Sequence, residues 1–424
     1  MTGTAHWGES RPNAATMTLT STLSARHQRG RRGHLLALAR VLACALTWAV
    51  ALAAVLALSA CTVKENRNVQ VTPQIVPTEL FIAPDGLDSN PGTRASPLRS
   101  LARAAQMVTP GTFVNVLPGA YQGGFRTTVD GLPNARIVYR STLRWGARIV
   151  PPAVSNSTVA WDNRASYTDI QGFEIDGSTR LGDTGKRWTI GIQDGGAYDR
   201  IAGNHVHDIV ATPECTDGGG AGILVGGHDK GTDADVNGNS VHDIGPPGCR
   251  SLHGIDVDTP ASIRNNIVYR VADTGIHLGR AARHVVVANN TVTASNTGIL
   301  VGGAGARHAK EPDDPTQVYN NIVFDNRYGL SDQGASGRRN SYRNNLVFKN
   351  SEADWRLAPG VTHAGTVAAM PGFVEYSREG TPDFRLAARS PAIGKGLEQG
   401  ADGPDFFGKM RARASTVDIG ACQH

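Results

Sequence analysis

Polar side chains that could do chemistry are concentrated in two neighbouring segments of the chain. Asp256 and Asp258 alternate along the segment HGIDVD, and His277 lies in TGIHLG and is followed closely by Arg280. A carboxylate paired with an imidazole can donate and accept protons, and two carboxylates can hold a cation such as Ca²⁺. Arg280 could neutralise an acidic substrate. We therefore expect catalytic roles for these four residues, and Ca²⁺ is the one cofactor that the pattern suggests.

These residues lie in a sequence that repeats. An asparagine-headed motif recurs at spacings of 35, 27, 24, 31 and 24 residues, and a motif centred on Ile or Leu lies between its copies. The first begins at Asn204, Asn239, Asn266, Asn290, Asn321 and Asn345, and the second is centred on Ile192, Ile223, Ile255, Ile276, Ile299 and Leu330. Two short alternating strands per repeat, separated by Asn and Gly, are typical of a coil of strands.

In such a coil each turn stacks on the last at about 4.8 Å, so equivalent residues form columns. The valines two residues after each asparagine should face inward, and their successors should face outward unless a loop covers them. Asparagine tolerates left-handed backbone geometry, and stacked amides can hydrogen-bond along their column. The residue after each central Ile points outward, which places Asp256 and His277 about 5 Å apart. Gln193, in the same column, and His253, on the same strand, are the expected substrate-binding residues.

A second set of polar residues recurs beside the valine column. His207-Asp208 and His242-Asp243 occupy matching places in neighbouring turns. Two ligands without a third make a poor zinc site. We interpret these histidines as a structural stack continued by Tyr269, and the sequence shows no partner for His205.

The two ends of this region complete a family resemblance. The opening segment is LFIAPDGLDSNPGTRASPLRSLARAAQMVTPGTFVNVLPGAY, and the closing segments are FRLAARSPAIGKG and VDIGACQ. Together with the repeats, these ends resemble the right-handed parallel β-helix superfamily of pectate lyase-like proteins. The resemblance covers 79–424 and implies an all-β, single-stranded right-handed parallel β-helix. We expect a cap region over 79–125 and a closing segment over 380–424. Ser96, followed by proline, predicts a short capping helix over 97–108.

The strand that carries Asp256 resembles two enzyme families. Its GIDVD is similar to the G-[FI]-D-P-H strand of alginate (mannuronan) epimerases, where Asp and His serve in catalysis. Asp256 matches that aspartate, whereas Val257 and Asp258 replace the proline and histidine. The strand also resembles the paired-acid metal strand of chondroitinase B and related alginate lyases, where a lysine base follows. Here the next six residues are TPASIR, without a lysine.

Two functions remain open. The first is a protein that binds polysaccharide or serves as an envelope or surface scaffold, favoured by the missing lysine and the scarcity of aromatic residues near Asp256. The alternative is a carbohydrate-active enzyme acting on acidic glycans, a lyase or epimerase rather than a glycoside hydrolase. Both give an acidic polysaccharide as the partner of a monomeric protein.

The charge distribution excludes a nucleic-acid partner. The net charge is +5, but residues 1–60 hold six arginines and one acid, so the rest of the chain is neutral. Without a basic surface, the electrostatic basis for binding DNA or RNA is absent.

The N-terminal segment 1–60 is typical of an export signal. Basic residues precede an uncharged apolar run over 41–60 that ends in Leu58-Ser59-Ala60-Cys61. This end resembles the bacterial lipoprotein signal, which implies cleavage before Cys61 and attachment of lipid to it, with 61–78 as a tether. The run is also long enough to span a bilayer, so an uncleaved anchor is the alternative. We therefore expect an exported protein, lipid-anchored in a bacterial cell envelope.

The cysteines agree with an oxidising compartment. Cys215 follows Asn204 by 11 residues and Cys249 follows Asn239 by 10, so both fall in equivalent loops of successive turns. Stacked turns suit the Cα separation of a disulfide. We predict a Cys215–Cys249 bond that leaves Cys422 free.

Lipidation can be tested at Cys61. Cys61→Ser should leave an uncleaved precursor and abolish fatty-acid labelling, because the thioether needs the thiol. Cys44→Ser, within the apolar run, should keep both cleavage and labelling. Labelling that persists in Cys61→Ser would show that the interpretation is wrong.

Overall fold

The structure, a computed structural model, describes most of the chain after the predicted signal and tether. The described residues are 78–153, 157–178, 187–210, 215, 219–226, 231–279, 282–302, 315–333, 339–399, 403–411 and 417–424. Cys61 and Arg280 lie outside these residues, as do the apolar run and all but the last residue of the tether. Within the described residues no helix is long and apolar enough to cross a membrane.

Short strands make up almost all the regular structure in the described part. In chain order they are β1 (Thr78–Ile82), β2 (Thr112–Val116), β3 (Gly119–Gln122), β4 (Phe125–Thr127), β5 (Ile137–Ser141), β6 (Ala147–Val150), β7 (Val159–Asn163), β8 (Thr168–Gln171), β9 (Glu174–Asp176), β10 (Ile190–Asp194), β11 (Arg200–Ala202), β12 (His205–Ile209), β13 (Gly220–Val225), β14 (Ala234–Asn237), β15 (Ser240–Ile244), β16 (Leu252–Val257), β17 (Ala261–Arg264), β18 (Ile267–Val271), β19 (Thr274–Leu278), β20 (Val286–Ala288), β21 (Thr291–Thr293), β22 (Thr297–Gly302), β23 (Gln317–Tyr319), β24 (Ile322–Phe324), β25 (Tyr328–Gln333), β26 (Ser341–Arg343), β27 (Leu346–Phe348), β28 (Ala353–Arg356), β29 (His363–Ala364), β30 (Phe373–Glu375) and β31 (Asp383–Leu386). One helix, α1 (Leu101–Met107), lies between β1 and β2.

The strands form three long parallel sheets. Sheet A has the order β1-β2-β5-β8-β11-β14-β17-β20-β23-β26-β29, sheet B runs from β4 through β7, β10, β13, β16, β19, β22 and β25 to β28, and sheet C runs from β3 through β6, β9, β12, β15, β18, β21 and β24 to β27. Each full turn gives one strand to each sheet, as β16, β17 and β18 do. The expected right-handed, single-stranded parallel β-helix is therefore confirmed.

The predicted inward columns form the core. The six valines of the asparagine motif and the six central residues of the second motif are all 0% exposed. The close stacking of turns explains why glycine precedes each central residue. A Cβ at Gly254, for example, would lie 2.5 Å from the carbonyl oxygen of Gly275 in the next turn. The sequence pattern therefore records both the core and the close stacking of turns.

A buried ladder of asparagine side chains connects the turns between sheets A and C. The Oδ1 of Asn266 accepts hydrogen bonds from the backbone N–H and the side-chain amide of Asn239, at 2.9 and 3.0 Å. Its own amide donates to Asn290 Oδ1 and to the carbonyl of Val236, both at 3.0 Å. The left-handed residue is the one before the ladder asparagine, such as Asn265 with φ 54°.

The capping helix forms later in the chain than predicted. Ser100, not Ser96, is its N-cap, and the Ser100 hydroxyl accepts a hydrogen bond from the Arg103 N–H at 3.1 Å. Leu98 is still extended, because its N–H donates to the Phe81 carbonyl at 2.9 Å. This pairing with β1 prevents a helix from starting at Pro97.

The residues after the column valines lie on the outer face of sheet C, as predicted, and three of the six are covered there by other parts of the chain. Tyr269, Thr293 and Phe324 are at most 6% exposed. The closing part of the chain, which includes the antiparallel pair β30–β31, packs over sheet C. Phe384 of β31 lies 5.4 Å from Tyr269, ring centroid to ring centroid.

The predicted disulfide is confirmed. Cys215 and Cys249 are bonded, with their Cα atoms 5.3 Å apart and 34 residues apart in sequence. Cys422 is free, as predicted, and its side chain is buried. In the chain-entropy model, a disulfide that closes a loop of this length stabilises the fold by roughly 3–4 kcal/mol.

Removal of one ladder side chain tests the importance of the ladder. Asn266→Ala should lower the free energy of unfolding by about 3 kcal/mol or more, because it leaves several buried donors and acceptors unpaired. Urea unfolding measures the loss. Ser262→Ala, on the half-exposed outer face of β17 in the same turn, is the control and should change little. Equal effects of the two substitutions would contradict a structural role for the ladder.

Candidate functional site

The site lies on the outer face of sheet B, where β16 and β19 are neighbours. Asp256 and His277 are paired in register, and the fully buried Ile255 and Val257 on either side of Asp256 turn its side chain outward. His277 Nδ1 lies 2.7 Å from Asp256 Oδ1. The side chains of His277 and Asp256 are 18% and 19% exposed, so the pair is mostly buried but still accessible to a ligand.

A second imidazole packs on the first. The ring of His253 stacks on His277 with 4.3 Å between centroids. Its Nδ1 is buried and has no hydrogen-bond partner within the described part of the chain. The structure therefore assembles a three-residue group, to which we give the name sheet B triad: His253, Asp256 and His277.

The surroundings shift the pKa values of the three triad residues in different ways. Burial acts to raise the pKa of Asp256, but the hydrogen bond from His277 and the charges of both imidazoles outweigh it and hold the pKa below its usual value. Burial acts to lower the pKa of His277, yet the bond to Asp256 and the charges of Asp256, Asp258 and Asp273 raise it overall. Burial lowers the pKa of His253. The Asp256 carboxylate therefore favours the protonated form of His277 more than water does, whereas burial favours the neutral form of His253.

The remaining predicted site residues lie at different distances from the triad. Asp258 follows Val257 directly, and its Oδ1 lies against Gly279 on the neighbouring turn, 2.0 Å from where a Cβ would be. Gln193 occupies the same column as Asp256 but is separated from it by Leu224, about 10 Å away across two turns. Arg280 lies outside the described residues.

The triad borders a small open depression. His253 and Asp256 line it together with Leu224 and Ser251, and its volume is about 280 Å³. His253, Asp256 and His277 each offer one possible ligand atom, and these atoms lie within 4.8 Å of one another. Two of the three are nitrogens, whereas Ca²⁺ prefers oxygen. The arrangement is better suited to proton transfer than to the expected calcium.

A second polar cluster lies on sheet C, where the structure adds His205 and Glu174 to the His207 and His242 that the sequence indicated. His205 Nε2 is 2.6 Å from His242 Nε2, and His207 Nε2 is 3.1 Å from Glu174 Oε1. The predicted stack is present, since the ring centroids are 5.3 Å apart between His207 and His242, and 4.6 Å apart between His242 and Tyr269. The spacing of His205 and His207, two residues apart on one strand, was the available signal for a shared face.

Comparison with known proteins agrees with the architecture. A family model described as a right handed beta helix region matches residues 190–365. No curated protein matches the sequence. A solved structure of pectate lyase Pel9A is similar with a TM-score of 0.56 and 17% identity, over 83% of this chain and 98% of that one. The complex of XylC with xylose is similar with a TM-score of 0.50 and 12% identity, over 69% of this chain and 70% of that one. At these identities the likeness shows the fold.

Proposed function

We propose that this protein is an exported carbohydrate-active enzyme that binds an acidic polysaccharide along sheet B and cleaves it by elimination at the triad. The observation that carries the proposal is the 2.7 Å contact between His277 Nδ1 and Asp256 Oδ1, in a pair that a ligand can reach. Solved structures with this fold include a pectate lyase and a xylose complex, which supports a carbohydrate ligand.

The contact with Asp256 fixes which nitrogen of His277 can react. Nδ1–H donates to the carboxylate, so Nε2 is free to exchange a proton with a ligand above the sheet. In an elimination, Nε2 of the neutral His277 imidazole takes the proton from the ring carbon that bears the uronate carboxylate. The electron pair left on that carbon forms a double bond to the adjacent ring carbon, whose bond to the glycosidic oxygen breaks. The same proton then passes to the departing oxygen, so no other reactant is consumed.

The placement of the groups favours elimination over epimerisation. An epimerase must return a proton to the opposite face of the ring, which needs a donor on the far side. The ionisable residues described at this site belong to β16 and β19 or directly adjoin these strands, as Asp258 and Asp273 do, so they are all carried by one sheet. We expect Arg280, two residues after β19, to pair with the uronate carboxylate.

Export is supported independently of the site. Disulfides persist in oxidising compartments, and Cys215–Cys249 is bonded. Together with the signal-like N-terminal segment, this bond supports a protein that works outside the cytoplasm, anchored by lipid on Cys61.

Binding without catalysis is the second candidate function. The depression is small, and its described lining contains neither lysine nor a Phe, Tyr or Trp side chain on which a sugar could stack. A surface of this kind could hold a glycan chain through hydrogen bonds and charge while the β-helix serves as an envelope scaffold.

The proposed lyase activity can be tested by incubating the protein with a panel of acidic polysaccharides and measuring the ultraviolet absorbance of newly formed unsaturated uronates. Wild-type protein should produce the absorbance on at least one substrate. Asp256→Asn and His277→Ala should each lower the rate roughly 10²–10⁴-fold, because each removes part of the proton-transfer pair. Circular dichroism should show that the fold is retained.

Asp235→Asn is the matched control, because it makes the same isosteric change at a half-exposed strand position on sheet A. It should keep full activity. If both triad variants retain wild-type rates, the triad is not the site. Glycan binding without any unsaturated product would favour the scaffold function instead.

A further inference from the structure

The polar cluster on sheet C has the composition of a transition-metal site. We propose that Glu174, His205 and His207 bind a divalent first-row transition metal such as Zn²⁺, with His242 as an adjacent fourth donor. These residues lie on the outer face of three successive strands, β9, β12 and β15. The proposal does not depend on the function proposed for sheet B.

Register brings the donors together. His205 is paired with Glu174 across one strand boundary, and His207 is paired with His242 across the next. One ligand atom from each of Glu174, His205 and His207 lies within 4.8 Å of the others. The Nε2 of His242 lies 2.6 Å from that of His205. Three side chains with nitrogen or carboxylate donors therefore converge, and His242 adds a further imidazole beside His205.

Neighbouring carboxylates orient two of the imidazoles. His207 Nδ1 lies 2.7 Å from Asp208 Oδ2, and His242 Nδ1 lies 2.6 Å from Asp243 Oδ2. When Nδ1–H donates to a carboxylate, the lone pair remains on Nε2. This carboxylate–histidine arrangement is the usual support of metal-binding histidines, because it fixes the ring and makes its other nitrogen a better donor.

The free nitrogens then face other electron-pair donors. His207 Nε2 points at the carboxylate of Glu174 at 3.1 Å, and His242 Nε2 points at a second imidazole nitrogen. Lone pairs that face each other at these distances need a proton or a metal ion to hold them together. A metal ion bound by Glu174, His205 and His207 would replace a proton as the link between these groups, and a set of imidazoles with one carboxylate is typical of zinc.

The cluster is also accessible. His205 and His242 line a cavity of about 440 Å³ between sheet C and the closing part of the chain. Aromatic rings form much of its wall, and Trp145 lies 4.6 Å from His205, centroid to centroid. Arg270 forms two 2.7 Å hydrogen bonds to Asp243 and so holds that supporting carboxylate in place. A metal ion can therefore enter from the cavity and find its ligands already oriented.

Metal titration of the purified exported protein, without an affinity tag, tests the proposal. After treatment with a chelator, the protein should bind one equivalent of Co²⁺ with visible d–d absorption, and Zn²⁺ should displace it. Ca²⁺ should not bind at this site. Failure of the wild-type protein to bind either Co²⁺ or Zn²⁺ would overturn the proposal, whatever the variants do.

Variants locate the metal. His205→Ala and His207→Gln should abolish the Co²⁺ absorption, and Asp208→Asn should weaken binding roughly 10–100-fold because it disturbs only the support. His363→Ala, at an exposed histidine on sheet A, is the control and should bind normally. If the metal is lost in His253→Ala but retained in His205→Ala and His207→Gln, it binds at the sheet B triad, and the assignment to sheet C is wrong.

Discussion

The structure depends on the register between successive turns, which the buried asparagine ladder helps to hold. Each ladder asparagine hydrogen-bonds to the backbone and side chain of its equivalent one turn away. Because side chains alternate along a strand, a slip of one residue would turn the buried valines outward and the polar columns inward. The ladder amides are 0% exposed, so a slip would leave buried donors and acceptors unpaired. The free-energy cost of such an unpaired group exceeds the net stabilisation that one hydrogen bond contributes.

The register between turns brings residues that are distant in sequence into contact at the two polar clusters. Asp256 and His277 are 21 residues apart in sequence but 2.7 Å apart in space. On sheet C, the same stacking places His205 beside a histidine 37 residues later. The two clusters share the turns of one coil but face different directions, so each can take its own ligand. A metal-binding function on one face is therefore compatible with glycan chemistry on the other.

Periodicity also explains how much the sequence could reveal. The core columns, the ladder, the Asp256–His277 pair and the Cys215–Cys249 bond were predicted, because each follows from equivalent positions in stacked turns. The helix start was wrong because Leu98 pairs with β1, and the covering of Tyr269 depends on the non-repeating closing part of the chain. Glu174 was missed because its strand lacks the motif of later turns. Contacts made outside the repeat leave no periodic signal.

The most direct test of the account is a pH titration of the His277 imidazole by NMR, in wild-type protein and in Asp256→Asn. We predict that the pKa of His277 in the wild-type protein lies above the ordinary value of histidine, because His277 bonds to Asp256 and lies near the charges of Asp258 and Asp273. That pKa should fall when Asp256 becomes Asn, since the neutral amide no longer stabilises the imidazolium. A His277 that titrates at the ordinary value in both proteins would show that register does not create the proposed pair.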